Sequence, residues 1–162
     1  MARVFLGLDL PDAIDMQLAL LAGGLPGARW ETPEKIHLTL RFLDELDGGE
    51  VRRLIACMNK LRSPGFSLSL RGVGVFPPRK TPRSIWAGVD PQDPVRRLKQ
   101  DVDRRLAGLN LDLDTRKFAP HITLARLKKT PEHLVAGFLA HHAMLDSPAF
   151  RIDAVTLYSS VL

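Results

Sequence analysis

Pro120-His121-Ile122-Thr123-Leu124-Ala125-Arg126 decides how this chain is read, because its inner four residues echo His37-Leu38-Thr39-Leu40 in the first third of the sequence. In an extended strand successive side chains point to opposite faces. His37 and Thr39 then share one face while Leu38 and Leu40 point into a core, and His121 and Thr123 repeat the arrangement above Ile122 and Leu124. Each copy presents an imidazole beside a hydroxyl on an apolar platform. Two such platforms facing one another across a groove would clamp a phosphate. A single His-x-Thr-x carries little weight, since polar residues alternate on many half-exposed strands. Two copies, each with leucine after the threonine, carry far more.

Outward from these motifs the chain reads as alternating strands and helices. Arg3 to Leu10 predicts a buried strand ended by Pro11, and Asp12 to Leu21 a helix with Ile14, Leu18 and Leu21 on one face. The first motif lies on a strand from Ile36 to Leu43. Asp47-Gly48-Gly49-Glu50 has the form of a capping box opening a helix to about Leu61, with Leu54, Ile55, Met58 and Leu61 toward the core. Phe66, Leu68 and Leu70 alternate with Ser67, Ser69 and Arg71 in a strand expected to reach Phe76, Pro77 to Pro82 is a basic loop, and Ser84 to Val89 returns as a strand. Asp93-Pro94 starts a helix with Val95, Leu98, Val102 and Leu106 inward and its charged face solvated. Leu109 to Phe118 reads as a strand or turn leading into the second motif. A strand from His121 to Leu127, a helix opened by Thr130-Pro131-Glu132 and a final strand from Phe150 to Tyr158 complete the chain. Strands and a helix around each motif predict an internally duplicated α+β fold rather than a parallel βαβ series.

Length and composition set the outer limits. At 162 residues, with 45% hydrophobic and 25% charged residues, the chain is long enough for one sizeable core and is read as a single domain over 1–162. Lys and Arg outnumber Asp and Glu by 23 to 18, for a net charge of +5 and a pI near 9.8. That balance favours a polyanionic partner such as RNA. Cys57 is the only cysteine, which rules out an internal disulfide and a cysteine-built zinc site and fits a reducing cytoplasm. Ala2 to Leu25 is interrupted by Arg3, Asp9, Asp12 and Asp15, so it reads as neither signal peptide nor membrane span. A monomer without metal, cofactor or obligate protein partner is expected.

Imidazole titrates near neutrality, so two of them can divide one proton-transfer task. One takes a proton from attacking water and the other gives one to the departing oxygen, while threonine hydroxyls donate to non-bridging phosphate oxygens. Arg79, Lys80 and Arg83 of the basic loop could reach phosphates. Phe42 and Trp86 could stack on bases, although core packing is the plainer expectation for both. His133, His141 and His142 read as surface residues.

His37-Leu38-Thr39-Leu40-Arg41-Phe42-Leu43 and Pro120-His121-Ile122-Thr123-Leu124-Ala125-Arg126 resemble the paired signatures of the two-histidine (2H) phosphoesterases, specifically the bacterial RNA 2′,3′-cyclic phosphodiesterases, also called 2′-5′ RNA ligases. Arg3 to Leu10, Arg83-Ser84-Ile85-Trp86-Ala87-Gly88 and Leu157-Tyr158-Ser159-Ser160 add to the likeness. The resemblance implies a bilobal, pseudo-twofold α+β domain of two antiparallel sheets, with helices outside and a central groove. It implies hydrolysis of an RNA terminal 2′,3′-cyclic phosphate to a 2′-phosphate, with His37 as proton donor, His121 as acceptor, Thr39 and Thr123 on the phosphate, and 2′-5′ ligation as a secondary activity. Other readings are a non-catalytic RNA-end binding module, or the same chemistry on small cyclic nucleotides or ADP-ribose cyclic phosphate.

The sequence departs from that family in three places. Asp44 stands where the family often has glycine, and aspartate tolerates left-handed backbone. The chain stops at Leu162 where family members commonly continue, which predicts a missing edge strand. Ideal alternation puts Arg126, a phosphate-binding residue by resemblance, on the face opposite His121. It reaches the phosphate only if the strand bulges or ends; otherwise Arg41, on the His37 face, is the better ligand.

Overall fold

The structure, a computed structural model, describes residues 2–111, 113 and 115–160. In chain order these form β1 (Ala2–Leu8), α1 (Asp12–Ala19), β2 (Ala28–Trp30), β3 (Leu38–Leu46), α2 (Gly48–Met58), β4 (Phe66–Phe76), β5 (Ser84–Asp90), α3 (Asp93–Leu106), β6 (Ile122–Leu127), α4 (Glu132–His141), β7 (Phe150–Ile152) and β8 (Thr156–Ser160). The α+β class expected from the sequence is the one observed. All strand pairs are antiparallel, in the order β7-β4-β5-β6-β3-β1-β8, with β2 pairing β6 beside that path.

The two strand groups, one around each motif, join through a single pair, Leu38 with Ile122. Both side chains are fully buried. On the opposite face, the residues flanking this pair are His37, Thr39, His121 and Thr123, so the seam gathers both motifs at one point. The core beneath is continuous, running from Leu6 and Leu8 through Leu38, Leu70, Ile85 and Ile122 to Leu106.

Helices cover the apolar side for reasons visible in their sequences. In α2 the Glu50 backbone N–H donates to Asp47 Oδ1 at 2.8 Å, and the Asp47 N–H donates to Glu50 Oε2 at 2.8 Å, which completes the capping box. The residues Val95, Leu98, Val102 and Leu106 of α3 are all buried, as their spacing predicts. Ile55 is 44% exposed, contrary to expectation. It follows Leu54, which is fully buried, and stands about 100° round the helix from it, at the edge of the buried stripe.

Two strand expectations change. The last strand divides: β7 pairs with β4 at one end of the sheet path and β8 with β1 at the other. Periodicity cannot register a change of partner when both pieces alternate alike. Only 153–155 link them, a span of about 14 Å at full extension, so the sheet curls until its edges approach. The stretch Leu109 to Phe118 carries no strand among its described residues; Asp112 and Asp114 lie outside them. Asp44 has φ of 60°, the left-handed geometry expected of it, where the β1–β3 register slips past Leu43.

Candidate active site

A cleft of about 1190 Å³ opens over the seam and is lined by His37, Thr39, His121 and Thr123 together. Each imidazole is fixed in the same way. His37 Nδ1 lies 2.6 Å from the carbonyl of Lys35, and His121 Nδ1 lies 2.7 Å from that of Ala119. A carbonyl only accepts, so Nδ1 carries the proton in both rings and Nε2 is left to exchange one. In each case the carbonyl belongs to the residue two positions earlier. His37 Nε2 is 3.0 Å from Thr39 Oγ1, which ties imidazole and hydroxyl into one unit.

Burial pushes both histidines below the ordinary imidazole range. The neighbouring charges then act in opposite directions. At His37 the Lys35 carbonyl and the carboxylates of Glu31 and Asp9 oppose the effect of burial. At His121 the Ala119 carbonyl opposes it, whereas the Arg126 guanidinium adds to it.

Arg126 reaches the cleft because β6 bulges. Ile85 pairs with Ala125 and Trp86 with Thr123, so Leu124 is skipped in the register with β5. Leu124 and Ala125 are both buried, and Arg126 emerges on the cleft side. The same slip occurs in the first motif, where Leu6 pairs with Arg41 and Gly7 with Thr39, skipping Leu40. The leucine after each threonine is therefore the bulge residue. Arg41 also lines the cleft, with its Nε 3.2 Å from Asp103 Oδ1.

The two proposed base-stacking residues separate. Phe42 lines the cleft and is 56% exposed, so core packing is not its role. Trp86 is not among the cleft-lining residues; its ring lies 6.4 Å from that of His121, and both contact Phe76, which does line the cleft. Its Nε1 is buried without a hydrogen-bond partner among the described residues. Lys80 and Arg83 of the basic loop line the cleft.

Sequence reasoning passed over Lys35, Lys99, Arg116 and Lys117, which complete a cationic rim. Lys99 was expected on a solvated helix face but is only 8% exposed. It pairs with Asp103 and lies 5.5 Å from the Phe118 ring centre. Only tertiary structure reveals that turn of α3 as cleft wall. Among the described residues no three His, Cys, Asp or Glu side chains are grouped to hold a metal ion, and His133 and His141 are exposed, while the His142 ring lies tilted against Phe138 with centroids 4.4 Å apart.

Paired imidazoles and hydroxyls inside a cationic cleft are the equipment of a phosphoesterase. The family model described as LigT like Phosphoesterase matches residues 8–86 and again 88–162, and the chain belongs to that family. The RNA 2′,3′-cyclic phosphodiesterase of Thermotoga maritima is 30% identical over 99% of this chain and 87% of its own length. A protein of the same name from Geobacillus stearothermophilus is 38% identical over 65% of this chain, which spans only 34% of that relative. E. coli LigT, in a crystal structure with 3′-AMP, shares the fold with a TM-score of 0.77 at 24% identity, over 99% of this chain and 89% of LigT. No helix among the described residues is long and apolar enough to cross a membrane.

Proposed function

We propose that the protein hydrolyses the terminal 2′,3′-cyclic phosphate of RNA to a 2′-phosphate by acid/base catalysis between His37 and His121. The observation that carries this reading is the matched pinning of two Nδ1 atoms by backbone carbonyls, which leaves two Nε2 atoms for proton exchange in one cleft. Water attacks phosphorus opposite the 3′ oxygen and gives a proton to His121 as the new P–O bond forms. The P–O3′ bond breaks, and His37 delivers a proton to the leaving 3′ oxygen. Thr39, Thr123, Arg126 and Arg41 receive the non-bridging oxygens, on which charge grows in the transition state. The neighbouring charges support this direction of transfer: carboxylates favour a protonated His37, and Arg126 favours a neutral His121.

A 5′-hydroxyl in place of water would form a 2′-5′ linkage by the same steps, which supports ligation as a secondary activity. The size of the cleft and its rim of lysine and arginine favour an RNA end over a small cyclic nucleotide, and exposed Phe42 offers a face for base stacking. Two matches of the family model along one chain support the reading of the fold as a single, internally duplicated domain.

The test is an oligonucleotide ending in 2′,3′-cyclic phosphate, with product identity read by phosphorus NMR. A 2′-phosphate product, turnover unchanged by EDTA, and loss of turnover in both His37→Ala and His121→Ala are expected. A 3′-phosphate product, or tight binding without turnover, would overturn the reading.

A further inference from the structure

Packed against His37 lies an assembly that neither motif contains. The rings of His37, Phe5 and Tyr158 are in mutual contact: centroids are 4.9 Å apart for His37 and Phe5, 5.0 Å for His37 and Tyr158, and 4.8 Å for Phe5 and Tyr158. The Tyr158 hydroxyl donates to Asp9 Oδ1, and Thr156 Oγ1 donates to Asp9 Oδ2 at 3.3 Å. Asp9 follows β1, whereas Thr156 and Tyr158 lie on β8, so this carboxylate ties the two strands together beside the imidazole.

Gly7 makes the close approach possible. A Cβ there would stand 2.8 Å from the Leu38 carbonyl oxygen, 3.1 Å from Tyr158 Cε2 and 3.6 Å from His37 Cδ2. Any side chain would wedge between the tyrosine and the histidine.

We propose that Asp9, Tyr158 and Gly7 are positioning residues for His37, with Tyr158 and Asp9 clamping β8 to the end of β1 beside the imidazole and Gly7 keeping the ring stack closed. The proposal rests on the reading of His37 as the proton donor, and none of the three residues need touch the substrate. It gives the closing strand a part in the chemistry.

Other charges face His37 as well, and the test must separate them. Glu31 and Lys35 precede it, Arg41 follows on β3, and His121, just before β6, and Arg126, on β6, line the same cleft. On α1, Asp15 acts on Tyr158 and Asp12 on Asp15.

The experiment combines NMR titration of the two histidine ring protons with the pH profile of kcat, in the wild type, Asp9→Asn, Tyr158→Phe and Gly7→Ala. Asp9→Asn should move the His37 titration to lower pH and leave that of His121 in place. The high-pH limb of kcat, which reports the donor, should move down with it, so that the rate drops about threefold above the optimum and is retained below it. Tyr158→Phe keeps the ring but frees the carboxylate, and should move the same limb less far. Gly7→Ala should lower kcat about tenfold across the whole profile without moving either limb.

A packing role alone would lower the rate evenly in Asp9→Asn and leave the His37 titration where it was, which would overturn the proposal. Equal movement of both histidines would overturn it too. The titration reads the Asp9–His37 link with no turnover at all, so a protein inactive on cyclic phosphate would refute the proposed function separately. If the His37 titration moves but the low-pH limb follows it, the donor and acceptor roles are reversed.

Discussion

His37 leans on Phe5 and Tyr158 with Asp9 and Glu31 nearby, whereas His121 leans on Phe76 and Trp86 with Arg126 nearby. The backbone of the two half-sites is alike: a carbonyl two residues back holds Nδ1, and the leucine after the threonine slips the register. A glycine makes room for the supporting aromatic in each, Gly7 beside Tyr158 and Gly74 beneath Trp86. What differs is charge. Similar backbones place two identical side chains, and the carboxylates near His37 favour its protonated form whereas the Arg126 guanidinium disfavours that of His121.

The most direct way to break this comparison is to delete each imidazole in turn. His37→Ala and His121→Ala should each lower kcat by about a thousandfold. Raising the pH should then separate them. Hydroxide can replace water activated by His121, so His121→Ala should recover activity in alkaline buffer. No solvent species replaces a proton donor at high pH, so His37→Ala should not recover. Equal recovery in both would erase the difference between the halves.

The threonines sharpen the comparison at a smaller scale. In the proposed mechanism each hydroxyl would donate to the charge developing on phosphate, and removing one such donor should cost about a hundredfold in kcat. Thr39 also lies 3.0 Å from His37 Nε2. Thr39→Val should therefore be the more damaging substitution and should disturb the pH profile, whereas Thr123→Val lowers its plateau. Steady-state rates across pH for the two variants decide the point.

Much of this arrangement was legible in the chain. The two motifs, their shared face and the helices of 3.6 spacing follow from apolar periodicity, and the Asp47 and Glu50 capping box from four consecutive residues. Arg126 stood at a strand position of the wrong parity, and only the bulge at Leu124 turns it toward the cleft. Bulges depend on pairing between strands and leave no mark in hydrophobic alternation. Lys99 was unreadable for a related reason: its turn of α3 borders the cleft only because β3 brings Arg41 to Asp103. Gly7 and Gly74 have no side chain for alternation to register, and their use emerges once the aromatic neighbours are in place.

Gly74 provides the stability counterpart on the His121 side. A Cβ there would lie 2.2 Å from Trp86 Cζ2 and 2.4 Å from Cη2, so the indole would have to move. Gly74→Ala should cost about 2 kcal/mol in urea unfolding, by overpacking. It should also lower kcat through His121, since Trp86 and Phe76 support that ring. A neutral outcome would mean that the aromatic backing of the two imidazoles is not equivalent.

The smallest effect comes from the acidic side itself. Burial, with Asp12 and Asp9 as neighbours, pushes the Asp15 carboxyl up to about 6, and its Oδ1 has no hydrogen-bond partner among the described residues. The folded protein therefore holds a proton that the unfolded chain has already released between the ordinary value of 3.8 and about 6. Its contribution to stability is full below that window and is lost as pH rises through it. Asp15→Asn removes the titration, so the variant should be more stable than wild type at pH 7 and equal to it at pH 3. Full linkage would give about 3 kcal/mol, but the residue is only partly buried and solvent screening reduces the gain to about 1 kcal/mol. Urea unfolding at the two pH values measures it. A gain of the same size at both would place the strain in packing, and the concentration of negative charge behind His37 would lose its energetic consequence.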